Sequence, residues 1–483
     1  MTSDIIFSLY ACLRMPTSLM FEQFYGLSVL LFVLPSGGSE ITEIIINLLI
    51  QIAVILFAAK IAGELASRYL KLPPVLAELG VGVLIGPFAL GAINIPGFGP
   101  LFPIPLVDGV AATIPVSNEL FSLAQIGSIF LLFAIGLETN LKKFLRYAGP
   151  ASAVALGGVI VPFALGAGAT VLFGFDDGEG FTSSKALFMG AIMTATSVGI
   201  TARVLADLNR LDSPEGVTVL AAAVVDDVIG ILVLTVVVGI STVGTFSLGS
   251  VGWVAFKAIA FWLGLTAVGI LVAPYLEKVV GRFRAPGAGL VLMSALALLA
   301  AGMAEIFGLA FIIGAFSIGL ALSTTNLGHR VEQQLVPVNE ILVPVFFVVM
   351  GMLVDVGSMA NGLVFGLIIS GLAVLSKVLG SGVPALFTGF NLRGSARVGV
   401  GMMPRGEVAL IIAGIGLSQG IIAQSLFGVS IMMTVITTLA APIILIPLFK
   451  LEGSGLRHPE TDKAEAPSPA SVSIIAEDSA NDD

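Results

Sequence analysis

The chain has 483 residues, 57% hydrophobic and only 11% charged, with a mean hydropathy of +1.06. A soluble domain carries about 25% charged residues, so this composition excludes a water-soluble globular protein and places most of the chain in a bilayer. Much of the net charge of −9 lies after Lys450, and no basic cluster offers a surface for nucleic acid.

Residues 18–34 form an apolar run after Arg14, interrupted by Glu22 and Gln23. Residues 1–40 are read as a cleavable or dispensable leader, with an extra poorly hydrophobic helix as the alternative. The one cysteine, Cys12, rules out a disulfide framework. From residue 41 onward, thirteen apolar stretches are long enough to span a membrane. Their cores are near 43–62, 75–93, 120–138, 150–173, 185–204, 216–240, 252–275, 288–305, 307–323, 338–355, 363–388, 397–418 and 425–449. The predicted fold class is an all-α polytopic membrane protein. Residues 41–450 form its membrane domain, and 451–483 form an acidic tail rich in Ala, Ser and Pro, expected to be disordered. Deleting residues 455–483 is expected to leave activity largely unchanged.

Basic residues orient the chain. Odd connections hold Arg68, Lys71, Lys142, Lys143, Arg146, Arg203, Arg210, Lys278, Arg282, Arg284, Arg330, Arg393 and Arg397, and Lys450, Arg457 and Lys463 follow the last span; even connections hold only Lys185. The positive-inside rule makes the first side cytoplasmic, so the C-terminus is expected inside.

Two spans read as interrupted. The fifth, GAIMTATSVGITARV (190–204), carries small and hydroxylated residues at mid-membrane; the twelfth, GVGMMPRGEVALI (399–411), carries Pro404 and Gly406. Non-helical backbone at membrane depth is tolerated only where it is enclosed by protein or lines a cavity. Each interrupted span is the middle of a trio, four-five-six or eleven-twelve-thirteen. The trios are seven segments apart, so they insert with opposite orientation. Interrupted helices at matching places in inverted halves point to a transporter site. Close packing of glycine-rich helices is the plain alternative.

Asp226 and Asp227 lie in the sixth span, VTVLAAAVVDDVIGILVLTVVVGI (217–240), which holds no other charge. Each charge at the bilayer centre costs roughly 2.5–3.5 kcal/mol, so the pair must face a partner or a wet cavity. The two side chains diverge by about 100°; one can meet a partner while the other faces a cavity. The partner available is Lys377, the single cation within LAVLSKVLGSGV of the eleventh span. A carboxylate, the hydroxyls of Thr196 and Ser197, and carbonyls freed by the break could ligate a hard monovalent cation, by analogy with Ca²⁺ and Mg²⁺. One carboxylate can hold a proton or a cation but hardly both, and that competition couples two fluxes. A purely structural Asp226–Lys377 bridge is the alternative.

Arg405 and Glu407 flank Gly406 at the second break, and residues two apart on a helix do not face one another. Together with Pro404 they are read as holding the crossover. Glu78 and Glu305 are read as structural or vestibule charges. Glu138 with Lys142, and Lys60 with Glu64, are read as i,i+4 pairs at the cytoplasmic edge. His329 and His458 lie outside the apolar segments, so a histidine-built metal site is not expected.

The stretches VLAELGVGVLIGPFALG (75–91), IFLLFAIGLETNL (129–141), TATSVGITARVLADL (194–208), AAAVVDDVIGIL (221–232), GLAFIIGAFSIGLALS (308–323), FFVVMGMLVDV (346–356), LSKVLGSGVPAL (375–386) and GMMPRGEVALIIA (401–413) resemble the monovalent cation/proton antiporter superfamily. The similar branch has paired aspartates and includes bacterial Na⁺/H⁺ antiporters and glutathione-gated K⁺ efflux systems. The resemblance implies a sodium/proton antiporter fold with inverted repeats and two crossed discontinuous helices. Core trios would cover about 150–240 and 363–449, with the remainder a dimerisation scaffold. It implies elevator-like Na⁺(Li⁺)/H⁺ exchange in a homodimer, with K⁺/H⁺ exchange as the alternative, and no cofactor or enzymatic activity. Asp227 matches the ion- and proton-binding carboxylate, Asp226 the partner of the lysine at 377, and Thr196 and Ser197 the unwound stretch near the ion. Asp-Asp members with this lysine are generally electrogenic, and Asn-Asp members generally electroneutral. An inner cell membrane is expected, or else an internal energy-coupling membrane, with roles in pH homeostasis and salt tolerance.

The sequence departs from the pattern at Gln125, where a glutamate is expected, and no nucleotide-binding domain is expected after the last span. An intramembrane aspartyl protease needs two carboxylates facing one water, which adjacent, diverging Asp226 and Asp227 do not provide. A channel is a further alternative, disfavoured by deep charges and inverted trios.

Overall fold

The computed structural model describes residues 40–458, apart from 71–72, 97–98, 108–109, 113, 244–247, 356, 358–361 and 452. The expected leader before Glu40 and the tail from 459 onward lie outside the described residues. In chain order the helices are α1 (Glu40–Leu65, continued by a π-helical turn Ala66–Leu70), α2 (Pro74–Ile85), α3 (Asn118–Glu138), α4 (Leu141–Leu172), α5 (Ser184–Thr194), α6 (Val198–Asp207), α7 (Pro214–Val243), α8 (Leu248–Val280), α9 (Ala288–Ile306), α10 (Phe311–Leu322), α11 (Asn326–Met352), α12 (Leu363–Phe387), α13 (Leu392–Gly401), α14 (Glu407–Ser418) and α15 (Gln424–Lys450). Between α2 and α3 lie two antiparallel hairpins, β1 (Asn94–Ile95) with β2 (Gly99–Pro100) and β3 (Leu106–Val107) with β4 (Val110–Ala111).

In lipid every backbone polar group needs an internal partner, and a helix supplies it within one segment. Helix starts are fixed by side chains that satisfy the first free N–H groups. Ser117 accepts from Leu120, Asn140 from Lys143, Thr325 from Gly328 and Asn391 from Gly394. The Asn140 cap changes one expectation. Glu138 ends α3, Thr139 is extended, and Lys142 belongs to α4. Glu138 and Lys142 are therefore on two helices rather than one turn apart on the same helix.

Among the described residues, 11 helical stretches are long and apolar enough to cross a membrane. The expected thirteen are not all met by length and composition. The stretch expected over 307–323 is α10, of 12 residues, and that over 397–418 is split into α13 and α14, of 10 and 12 residues. Length is not needed where neighbours enclose a helix, and α10 is buried from Ile312 to Leu322.

Burial separates lipid-facing from enclosed elements. The stretch Ser184–Asp207, spanning α5 and α6, is mostly buried, whereas Gly249–Val280 in α8 has few buried residues. A broken helix thus sits at the centre and a continuous one outside. Among the described residues the most extensive helix–helix seam runs between α4 and α12. A Cβ on Gly157 would lie 2.1 Å from the Gly380 carbonyl oxygen, and one on Gly380 would lie 2.5 Å from that of Gly157. Only glycine lets these backbones touch, the small-residue packing used where apolar attraction between helices is weak. Helix α4 also packs against α5 and α7. It therefore acts as the spacer that sets α7, with Asp226 and Asp227, at a fixed distance from α12, with Lys377.

Candidate ion-translocation site

Two chain breaks meet at the centre of the protein. Helix α5 stops at Thr194, Ala195 to Ser197 are non-helical, and α6 restarts at Val198. Helix α13 stops at Gly401, and α14 starts at Glu407 beyond Pro404. The Ser197 backbone N–H donates to the Pro404 carbonyl at 2.8 Å. Each broken helix leaves carbonyls without helical partners, and the other broken helix supplies donors. The Thr201 hydroxyl on α6 donates to the Gly401 carbonyl at 2.6 Å. The Arg405 guanidinium donates to the Met193 carbonyl at 2.7 Å, with longer bonds to the Met403 and Ala373 carbonyls at 3.2 and 3.4 Å. Arg405 is fully buried, and its own carbonyl accepts from the Thr438 hydroxyl of α15. Pro404 and Arg405 thus serve the crossing directly, one by its backbone and the other by its side chain. Glu407 opens α14, and its side chain lies outside the described residues.

The charged residues lie beside this crossing. Lys377 Nζ donates to Asp226 Oδ1 at 3.1 Å, with the lysine 0% and the aspartate 2% exposed. The Thr196 hydroxyl, from the first break, lies against the same Asp226 carboxylate. Asp227 is also buried but more open, at 8%. Thr196 and Ser197 are buried. Two carboxylates and two cations, Asp226, Asp227, Lys377 and Arg405, therefore occupy one enclosed region and balance in formal charge. A buried pair such as Lys377–Asp226 is tolerable only with close geometry and further hydrogen bonds.

A cavity of about 1150 Å³ opens on the side that carries the Lys- and Arg-rich connections. Its polar lining includes Lys60, Glu78, Glu138, Arg203, Asp207 and Glu332. Arg203 and Asp207 pair at 3.2 Å one turn apart on α6. The cavity does not reach Asp226, Asp227, Thr196 or Ser197. A pocket of about 50 Å³ abuts the crossing itself, lined by Arg405, Gly406, Thr434 and Thr438 among apolar side chains. Glu78 is 4% exposed at the edge of the large cavity, whereas Glu305 is exposed at the end of α9. Gln125 is half-buried on α3, where its backbone carbonyl accepts from Ser128.

Sequence reading missed Thr201 and Thr438, because a threonine in an apolar helix carries no signal of a distant acceptor. It also treated Arg397 as a loop cation, whereas Arg397 lies on α13 and is 5% exposed. Sequence reading also passed over the Arg203–Asp207 pair, for which the i,i+4 spacing was a usable signal, whereas its place on a cavity wall had none.

The transmembrane sodium/hydrogen exchanger family matches residues 52–451. The chain is 37% identical over 456 residues to the high-affinity Na⁺/H⁺ antiporter NhaS3 of Synechocystis, covering 89% of this chain and 95% of that one. It is 36% identical to the Na⁺/H⁺-K⁺ antiporter GerN of Bacillus cereus, covering 82% and 94%. It is 26% identical to the K⁺/H⁺ antiporter subunit KhtU of Bacillus subtilis, covering 78% and 88%. The structure of the sodium proton antiporter MjNhaP1 from Methanocaldococcus jannaschii superposes with a TM-score of 0.59 at 19% identity, covering 85% of this chain and 99% of that one. At that identity the likeness speaks for the fold.

Proposed function

Because the chain belongs to the sodium/hydrogen exchanger family, we propose that it is a secondary active Na⁺(Li⁺)/H⁺ antiporter in which cation and proton compete for the Asp227 carboxylate. The observation that carries this reading is the joined pair of breaks, Ser197 to Pro404, with the Lys377–Asp226 ion pair beside it. That pair engages Asp226, so the role of exchanging carboxylate falls to Asp227. The hydroxyls of Thr196 and Ser197 and the freed carbonyls of the first break supply neutral oxygen donors of the kind a hard cation prefers.

Electrogenic exchange is part of this reading, and it needs more than the Asp227 carboxylate. With Asp227 ionised, the four described charges sum to zero, and loading Asp227 with a proton or with Na⁺ brings the same +1. One-for-one exchange at Asp227 alone would move no net charge. Net transfer requires a second proton, which Lys377 can supply by releasing its own when Asp226 is freed.

Alternating access in this reading moves the two trios, α4 to α7 and α12 to α15, as an elevator against the remaining helices. In this reading the two short stretches, α10 and the α13–α14 pair, complete thirteen crossings of an inner membrane, and the Lys- and Arg-rich connections support a cytoplasmic C-terminus. The exposed apolar face of α8, with Trp253, Phe256, Leu263 and Leu271, is available to lipid or to a second copy in a homodimer.

K⁺/H⁺ exchange is the second reading, supported by the name of KhtU, while that of GerN carries K⁺ beside Na⁺. Proteoliposomes with an imposed pH gradient test both. Dissipation on adding Na⁺ or Li⁺, lost in Asp227→Asn, supports the first; dissipation by K⁺ alone replaces it with the second. Absence of any cation-dependent flux from folded protein removes both.

A further inference from the structure

The last helix does not end the packed structure. Leu451 and residues 453–458 lie back across the α12–α13 turn as a strap. Phe390 and Leu456 form an antiparallel bridge, framed by Asn391 N–H to Gly455 carbonyl at 2.8 Å and Arg457 N–H to Gly389 carbonyl at 3.0 Å. Asn391 caps α13 with its side-chain oxygen and donates its amide to the Ser454 carbonyl at 2.7 Å. A Cβ on Gly394 would lie 2.2 Å from the Gly455 carbonyl oxygen, and one on Gly455 would lie 2.0 Å from Glu215 Oε1. No larger residue fits at either place while the strap is seated.

Arg397 sits at the centre. Its Nη1 meets Glu215 Oε1 at 2.7 Å, and Glu215 belongs to the first turn of α7. Its Nε donates to the Leu448 carbonyl at 3.0 Å, and its Nη2 to the Leu451 carbonyl at 2.7 Å. Nη1 also reaches the Gly453 carbonyl at 3.3 Å, and the guanidinium lies 5.0 Å from the Phe449 ring centre. One buried cation thus ties the start of α7, the first half of the second broken helix, the end of α15 and the strap. The planar fork of arginine can serve several acceptors at fixed angles; a lysine ammonium cannot match that.

We propose that Arg397 is a positioning residue for transport: with Glu215 and the strap it clasps α7, which carries Asp226 and Asp227, to α13, which carries the second break, so that the two halves of the site move as one body. The proposal rests on the antiport reading for its transport readout. Glu215 is about 18 Å along α7 from Asp227 at 1.5 Å per residue. A small tilt at the clasp therefore displaces the carboxylate relative to the crossing. It also moves the boundary of a dispensable tail from 455 to beyond 458.

The experiment compares full-length protein with chains ending at His458 and at Lys450, and with Arg397→Gln. A fourth form has Phe390→Cys and Leu456→Cys in a Cys12→Ser background. The bridged pair is of the non-hydrogen-bonded kind, whose Cα separation of about 4.5 Å suits a disulfide. Readouts are the apparent KM for Na⁺, the maximal proton flux, the melting temperature, and amide exchange in 214–220 and 392–398. The chain ending at His458 should match full length in all of them. The chain ending at Lys450 and Arg397→Gln should raise KM roughly fivefold, with maximal flux within about twofold, and should speed amide exchange in both segments. The oxidised disulfide form should transport as fast as its reduced form. Should Arg397→Gln fail to fold, the two truncations and the disulfide decide. A lowered melting temperature with unchanged KM and exchange would reduce Arg397 to a structural role and overturn the proposal. So would an oxidised form that stalls until reduced, since the strap would then have to open. If full-length protein shows no cation-dependent flux, the antiport reading fails, and amide exchange alone judges the clasp: faster exchange on removing the strap upholds it, unchanged exchange overturns it.

Discussion

Ser197 and Pro404, more than two hundred residues apart in sequence, share a 2.8 Å backbone hydrogen bond that joins the two broken helices at their non-helical turns. Non-helical backbone inside a membrane protein needs enclosed partners. Here each break satisfies part of the other, through this bond, through Thr201 to Gly401 and through Arg405 to Met193.

Asp227→Asn keeps the shape of the side chain and removes its charge. Exchange is expected to fall by at least about a hundredfold, with the melting temperature about unchanged, because the neutral amide matches the protonated carboxyl that the site holds during exchange. Proton flux in proteoliposomes and thermal unfolding of the purified protein check the two halves separately. Retained exchange would remove Asp227 from the mechanism.

Lys377→Ala leaves Asp226 buried without its ion-pair partner. Breaking a buried pair from one side costs roughly 3–5 kcal/mol, so a marked drop in melting temperature is expected. Adding Asp226→Asn to the Lys377 variant should recover most of that stability, because the stranded charge is gone. A double-mutant cycle by thermal unfolding measures the coupling; single and double variants of equal stability would show that the pair carries none.

Arg405→Lys keeps a positive charge and loses the fork. A lysine cannot reach the Met193, Met403 and Ala373 carbonyls together, and each buried acceptor left without a donor costs about 1–3 kcal/mol. Lower thermal stability and at least roughly tenfold slower exchange are expected. Wild-type flux in Arg405→Lys would mean that the charge alone suffices.

Competition for one carboxylate sets the sign of the pH dependence. A bound proton excludes the cation, so acidification lowers apparent cation affinity. Below the titration range of the site, KM for Na⁺ should rise about tenfold for each unit of pH lost, and above it KM should level off, by linkage between the two ligands. Initial rates over a matrix of Na⁺ concentration and pH test this. A KM independent of pH, with only the maximal rate changing, would place proton and cation on separate groups.

The sequence by itself determined the membrane class, because so few charges are spread over so many apolar residues. It also exposed the residues that cost most to bury. Asp226, Asp227 and Lys377 stand out because a charge in an apolar span is expensive wherever the span ends up. Pro404 marks a break because proline cannot continue a helix. These are local properties, carried by a residue and its immediate neighbours. Only the tertiary structure decided which groups meet. From the residues alone either aspartate could have faced Lys377, and it is Asp226, from 151 positions away, that does. Thr201 and Thr438 read as ordinary membrane threonines until the fold set them against backbone acceptors 200 and 33 positions distant. Arg397 counted among the cytoplasmic cations until α13, α7 and the strap closed around it, and Lys60, Glu78 and Asp207 became one cavity wall only when α1, α2 and α6 were brought side by side. The physical reason is the same in each case. Desolvation cost is written in composition, but the partner that offsets it depends on how distant helices pack, and here that packing turns on close approaches such as Gly157 against Gly380.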